Sequence, residues 1–266
     1  MAVGPRHFIG PPPGADDLLA DFLTDRGWQR PREDRLIRPC GRLGVHLPRG
    51  SFSEWTVWGA QHRGAQVAWS ITVGTAIPTE LLAATVTEAE TILEETQPDA
   101  REPYARGLVA LGLIPLARAD WRDDVDPRGS VSFRPPDGYA NAAASAPSYL
   151  HELRGKPAAT VSSYGPNSYW DAKISAGTPS RVLAALAREL ASDEPLLRPA
   201  DYVRSLTYSR RHITVRPLTE QSEENLSPAA QAARSRSSTS APAPAPISST
   251  PPPAPTAVAP AHTAGR

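Results

Sequence analysis

"WSITVGTAIPTELLAAT" (Trp69–Thr85) and "WDAKISAGTPSRVLAAL" (Trp170–Leu186) lie 101 residues apart and follow one plan. Each has Trp nine residues before Pro, and Leu-Ala-Ala beginning four residues after it. In both, the first segment alternates with period two: Trp69, Ile71 and Val73 against Ala68, Ser70 and Thr72, then Trp170, Ala172 and Ile174 against Tyr169, Asp171 and Lys173. That is the pattern of a strand with one buried face. After each Pro the period becomes helical. Leu81, Leu82, Thr85, Val86, Ala89, Ile92 and Leu93 form one stripe, and Val182, Leu183, Leu186, Ala187 and Leu190 form its counterpart. Pro179 suits the first helical position, with Thr178 before it as a cap; Ile77 stands in the capping place before Pro78.

The register holds further out without gaps. Gly64 meets Gly165, and Glu88 meets Glu189. Upstream of each Trp, "SEWTVWGAQHRGAQVAWSITV" and "AATVSSYGPNSYWDAKIS" read as strand, Gly-containing turn, strand. With gaps, Leu23 and Trp28 match Leu116 and Trp121, and "IRPCGRLGVHL" matches "FRPPDGYANAA". Leu18, Leu19, Phe22 and Leu23 suggest a helix before the first of these Trp residues; Leu108, Leu111 and Leu113 suggest one before the second. The expected fold is therefore α+β, as two tandem units, each a helix, antiparallel strands and a closing amphipathic helix. The units span residues 1–100 and 101–217.

Residues 218–266 are built from Pro, Ala and Ser and carry almost no large apolar side chains. Such a segment cannot offset its conformational entropy by burial and reads as a disordered spacer, the alternative being a tether or Pro-rich docking peptide.

The order of a Trp after a short helix, a Pro-Asp-Gly turn, a Trp-bearing strand, Thr-Pro and an Ala/Leu helix ending "EPLLR" resembles the actinobacterial SPDY-type domain, in two copies over residues 3–200. The second copy is nearer the pattern, with "RPPDGY" (Arg134–Tyr139) and "GTPSRVLAALARELASDEPLLR" (Gly177–Arg198). The first has "RPCGR" without the Asp, and "AIP" for the Thr-Pro. The resemblance implies a restriction to high-GC Gram-positive bacteria and no established activity.

Charge is balanced, with 28 Lys and Arg against 28 Asp and Glu, so no global field draws the chain to nucleic acid or membrane. Cys40 is the single cysteine, which excludes a disulfide within one chain and fits a reducing cytoplasm. The N-terminus lacks a secretion signal. The apolar run "LVALGLIPLA" (Leu108–Ala117) is half of a membrane span and contains Pro115, so a soluble cytoplasmic protein is expected.

No reaction is written in the motifs. The six histidines include no i, i+4 pair for a metal, and Cys40 with His46 reads as a turn residue beside a strand residue. "GLVALGL" (Gly107–Leu113) has phosphate-loop glycine spacing without the Lys and Ser/Thr. Asp120, Asp123, Asp124 and Asp126 lack the Gly and distal Glu of a calcium loop. Trp69 and Trp170 fall on apolar phases as core anchors, whereas Trp55 and Trp58 fall on opposite faces, which leaves one of them free to be exposed.

Arginine placement is the most suggestive feature. Seven arginines lie between Arg26 and Arg49 against Glu33 and Asp34, and Arg204, Arg210, Arg211, His212 and Arg216 close the second unit. If Arg35, Arg38 and Arg42 share a surface with Arg210 and Arg211, they form a phosphate-binding patch beside Trp28, Tyr202 and Tyr208. The sequence reading is a non-enzymatic protein that binds a macromolecule, protein or nucleic acid, without cofactor or metal. The alternative is an enzyme acting on a small molecule at a site assembled from distant residues.

Overall fold

A computed structural model describes residues 1–48, 54–96, 108–146, 156–165, 168–206 and 213–217. Arg210, Arg211, Tyr208 and the expected tail therefore lie outside the described residues. The first half runs α1 (Ala15–Asp25), β2 (Gln29–Arg32), β3 (Arg35–Ile37), β4 (Leu43–His46), β5 (Glu54–Ala60), β6 (Val67–Gly74) and α2 (Thr79–Glu95). The second half opens on a 3-10 helix (Val109–Leu113) that passes into α3 (Ile114–Arg118). It continues with β7 (Arg122–Val125), β8 (Val131–Arg134), β9 (Ala140–Ala144), β10 (Ala159–Gly165), β11 (Ser168–Ile174) and α4 (Ser180–Leu190).

The fold is α+β, built on one antiparallel ten-stranded sheet in the order β2-β3-β4-β5-β6-β11-β10-β9-β8-β7. Each half is a meander in chain order, and the halves meet where β6 pairs with β11. At that seam Thr72 lies opposite Lys173, its counterpart at the 101-residue offset, with Ile71 opposite Ile174 and Val73 opposite Ala172. Beyond the paired residues, Ser70 and Ser175 extend the seam: Ser175 donates its backbone N–H to the Ser70 carbonyl, and its hydroxyl accepts from the Ser70 N–H at 2.8 Å.

Strand alternation decides which side the helices cover. Trp55, Val57, Trp69, Ile71, Val73, Val161, Trp170, Ala172 and Ile174 point to one face and join Leu19, Leu23, Leu82, Val86, Leu183 and Leu186 in one continuous core. Helices α2 and α4 pack against each other over the seam, and the 3-10 helix packs against α4. Gly112 makes that approach possible, because a Cβ there would overlap Leu183 and the Ser180 carbonyl. Gly59 does the same beneath the Trp69 indole.

Several local expectations change. Thr178 does not cap α4; its hydroxyl donates to the Ser70 carbonyl at 3.3 Å and tethers one half to the other. Trp55 and Trp58 do lie on opposite faces, yet both are buried, at 1% and 6% exposure. The Trp58 ring lies over Gly44, with the Arg35 guanidinium 5.2 Å from its centroid and His46 beside it. Leu108 and Leu111 are exposed while Val109, Leu113 and Leu116 are buried, because the turn is 3-10 and residues three apart share a side.

A second, smaller core comes from both ends of the described chain. β1 (Ala2–Gly4) sits between β12 (Leu196–Leu197) and β13 (Thr214–Arg216), all antiparallel. Val3, Phe8, Ile9, Leu196, Val203, Leu206 and Ile213 fill it, with α5 (Ala200–Ser205) alongside. Among the described residues no helix is long and apolar enough to cross a membrane.

Candidate functional site

With helices over one face, the other face of the ten-stranded sheet carries no helix among the described residues. Ladder register places one residue from every strand in a continuous row across it: Asp124, Ser132, Ala143, Thr160, Lys173, Thr72, Thr56, His46, Arg35 and Arg32. At the usual strand spacing the row is about 43 Å long. At its centre the half-buried Thr160, Thr72 and Thr56 accompany the exposed Lys173. Its residues run from an acid at the β7 edge to two arginines at the β2 edge. Lys173 is raised above the usual lysine range by its 3.0 Å hydrogen bond to Glu54 and by nearby Asp171.

The N-terminal arginines divide between the two layers. Arg38 turns to the helix side, contacting Glu90 at 3.2 Å and Glu94 at 2.6 Å and donating to the Arg26 carbonyl. Arg26 joins it on Glu90, whose buried carboxylate also accepts the Trp28 indole N–H at 2.7 Å. These two guanidiniums thus neutralise a buried acid. Arg35 stays on the open face above Trp58, and its Nε has no hydrogen-bond acceptor among the described residues. His46, next to it, is lowered below the usual histidine range by burial and then by Arg35, with Asp34 opposing. Arg42 lies in the β3–β4 turn, where its carbonyl accepts the Ala60 N–H. Arg30, whose guanidinium reaches the Glu33 carbonyl, lines a shallow cleft on the β2 edge with Pro31, Arg32 and Glu33.

The second half supplies what the arginine pattern did not reveal. Tyr164 and Tyr169 project from the β10–β11 hairpin with 53% and 64% exposure, their ring centroids 5.8 Å apart. The Ser162 hydroxyl donates to the Tyr164 hydroxyl oxygen at 3.0 Å. Asn141 of β9 pairs with Ser162 of β10, and its amide oxygen has no donor among the described residues. Beyond it Arg134 lies opposite Arg122, both exposed. The sequence did carry a signal: Tyr169 adjoins Trp170, so its aromatic ring falls on the polar phase of the strand.

Other constellations resolve into structure. His7, Asp137 and Ser163 meet, but not as a hydrolytic relay. His7 Nε2 lies 2.7 Å from Asp137, while Ser163 donates to the His7 backbone carbonyl at 2.5 Å, so no base faces the hydroxyl. The ring is wedged between Phe8 and Trp121, and burial lowers its pKa against the opposing pull of Asp137. Asp126 closes the β7–β8 turn by accepting the N–H groups of Arg128 and Ser130. Cys40 is exposed, and no group of three His, Cys, Asp or Glu able to hold a metal occurs among the described residues.

Comparison with models of protein families, with curated proteins and with solved structures returns no match.

Proposed function

We propose that this protein is a non-enzymatic binding protein whose contact surface is the uncovered sheet face, and that its partner is a nucleic acid. One observation carries the reading: the face presents Arg32, Arg35, Lys173, Arg134 and Arg122 together with open aromatic rings, on a broad platform rather than in an enclosed pocket. Side chains of this kind suit a phosphate backbone and its bases. The surface replaces the patch expected from Arg35, Arg38 and Arg42 with Arg210 and Arg211, because Arg38 is committed to Glu90 and Glu94.

Within this reading the two halves are diverged copies of one SPDY-like unit whose single sheets have fused edge to edge. The shared order of helix, meander and helix supports it, as does the pairing of Thr72 with its counterpart Lys173. A protein partner is the second reading, favoured by the exposed side chains Leu108, Leu111 and Ile114 on the helix side.

Salt-titrated binding to labelled DNA and RNA tests the proposal. Log affinity should fall linearly with log salt, by about 0.7 per phosphate contact on single strands and 0.9 on duplex. Absence of binding at low salt would end it.

A further inference from the structure

We infer that the open face of the second half holds a site for single-stranded nucleic acid, in which bases stack on Tyr164 and Tyr169 and phosphates meet Arg134 and Arg122. The inference rests on the reading of the open face given above and narrows it to one end of the sheet and one kind of strand.

The rings come first. A large aromatic side chain on a strand normally buries its area, yet these two stand exposed on a face of Ser and Thr. Their planes are inclined at 43°, which leaves ring surface free rather than sealing one against the other. The Ser162 hydrogen bond holds the Tyr164 hydroxyl, so part of the ordering cost of a contact is already met. The first half offers no equivalent. At the 101-residue offset these positions are Arg63 and Ala68, and the aromatic on its open face, Trp58, is buried under Arg35.

The charges come second. Arg122 and Arg134 are directly opposed on neighbouring strands, an arrangement that like charges disfavour. Neither has an ion-pair partner among the described residues. Asp171 lies 3.7 Å from Lys173, Asp137 lies 2.7 Å from His7, Asp126 accepts N–H groups of its own turn, and Asp123 falls on the other strand phase, while Asp124 shares the open face one row away. An anion between the two guanidiniums would relieve their repulsion.

The spacing comes third. Tyr169, Tyr164, Asn141, Arg134 and Arg122 occupy five successive strands, a span of about 19 Å at normal strand spacing. Exposed rings on a sheet reach bases only when these are unstacked, which selects a single strand over a duplex.

The experiment is fluorescence anisotropy of the full chain with labelled single-stranded DNA and RNA oligonucleotides and the matching duplex, over a salt series. Y164A/Y169A should weaken single-strand binding by about 10-fold or more, whereas Y164F/Y169F, which keeps the rings, should stay near wild type. R122A/R134A should make the salt slope shallower by about 1.4. All four side chains are exposed, so unchanged melting curves confirm that the variants fold. Binding that none of these substitutions alters overturns the site but leaves the open-face reading standing on Arg32 and Arg35. Duplex bound as tightly as single strands overturns the strand preference. No binding by the wild type at low salt removes both readings.

Discussion

The two halves of the sheet solve the same packing problem with different chemistry. In the first, the corner beneath Trp28 is closed by Glu90, a buried carboxylate that takes the indole N–H and two guanidiniums. In the second, the residue at the Glu90 position is Ala191, and the corner beside Trp121 receives His7 from the N-terminal segment. The contrast recurs across the helix layer. Arg181 on α4 meets Glu88 at 2.8 Å and also reaches Glu95 on α2, but exchanging the halves would set Glu80 against Glu189. Two arginines from the small core intervene: Arg198 pairs with Glu80, and Arg6 pairs with Glu189 and Glu194. Burial alone would raise Glu80, but the Arg198 hydrogen bonds and charge hold it below the usual carboxylate range. The Trp28 corner is thus closed by residues of its own half, and the Trp121 corner by the N-terminal segment.

The strongest test of the likeness between halves is truncation of the paired anchors. Trp69→Ala and Trp170→Ala should each cost about 3–5 kcal/mol in urea unfolding. Closely similar losses are expected for two rings in matched core positions, and a large inequality would break the correspondence. The difference between halves is sharpened by Glu90→Ala, which removes the acceptor of the Trp28 indole and the Arg26 guanidinium, leaves Arg38 only Glu94 and the Arg26 carbonyl, and should also cost about 3–5 kcal/mol. Arg6→Met should cost roughly 1.5–3 kcal/mol by removing charged hydrogen bonds that no first-half residue supplies.

A pH series addresses the same asymmetry. His7 is depressed in the folded state, so its contribution to stability is complete above the ordinary histidine value of 6.5 and is lost as pH falls below it towards the folded pKa. Chemical denaturation between about pH 7.5 and pH 5 should show that loss in the wild type and a flatter profile in His7→Asn. The smallest effect belongs to Arg181→Ala, an exposed pair on the helix surface whose removal should barely move the unfolding midpoint.

Much of the large sheet was legible because its signals are local. Alternation around Trp69 and Trp170 and the helical stripes after Pro78 and Pro179 fix β6, β11, α2 and α4 from the sequence. The small sheet was not legible. Its strands are two or three residues long and come from distant parts of the chain, too short to show a period. Trp58 illustrates another limit, since a polar-phase aromatic was sealed by Arg35, from a strand two places away. The arginine cluster divides for a related reason. Arg35 and Arg38 are three residues apart, but a strand ends between them and the side chains serve different layers. On the site itself, strand phase alone could have placed Tyr169 outward; the opposition of Arg122 and Arg134 needed the register.

The position of β1 between β12 and β13 also has a consequence for the timing of synthesis. Residues 2–4 leave the ribosome about 200 residues ahead of the strands that flank them, an interval of roughly 10–40 s at ordinary elongation rates. The ten-stranded sheet can assemble as its meanders emerge, each strand meeting the one just made. The N-terminal strand, with Arg6 and His7 behind it, must wait with its apolar side chains uncovered. Closing the three-stranded sheet then follows assembly of the large one, and a chaperone that holds nascent segments would find a long-lived target in Val3, Phe8 and Ile9.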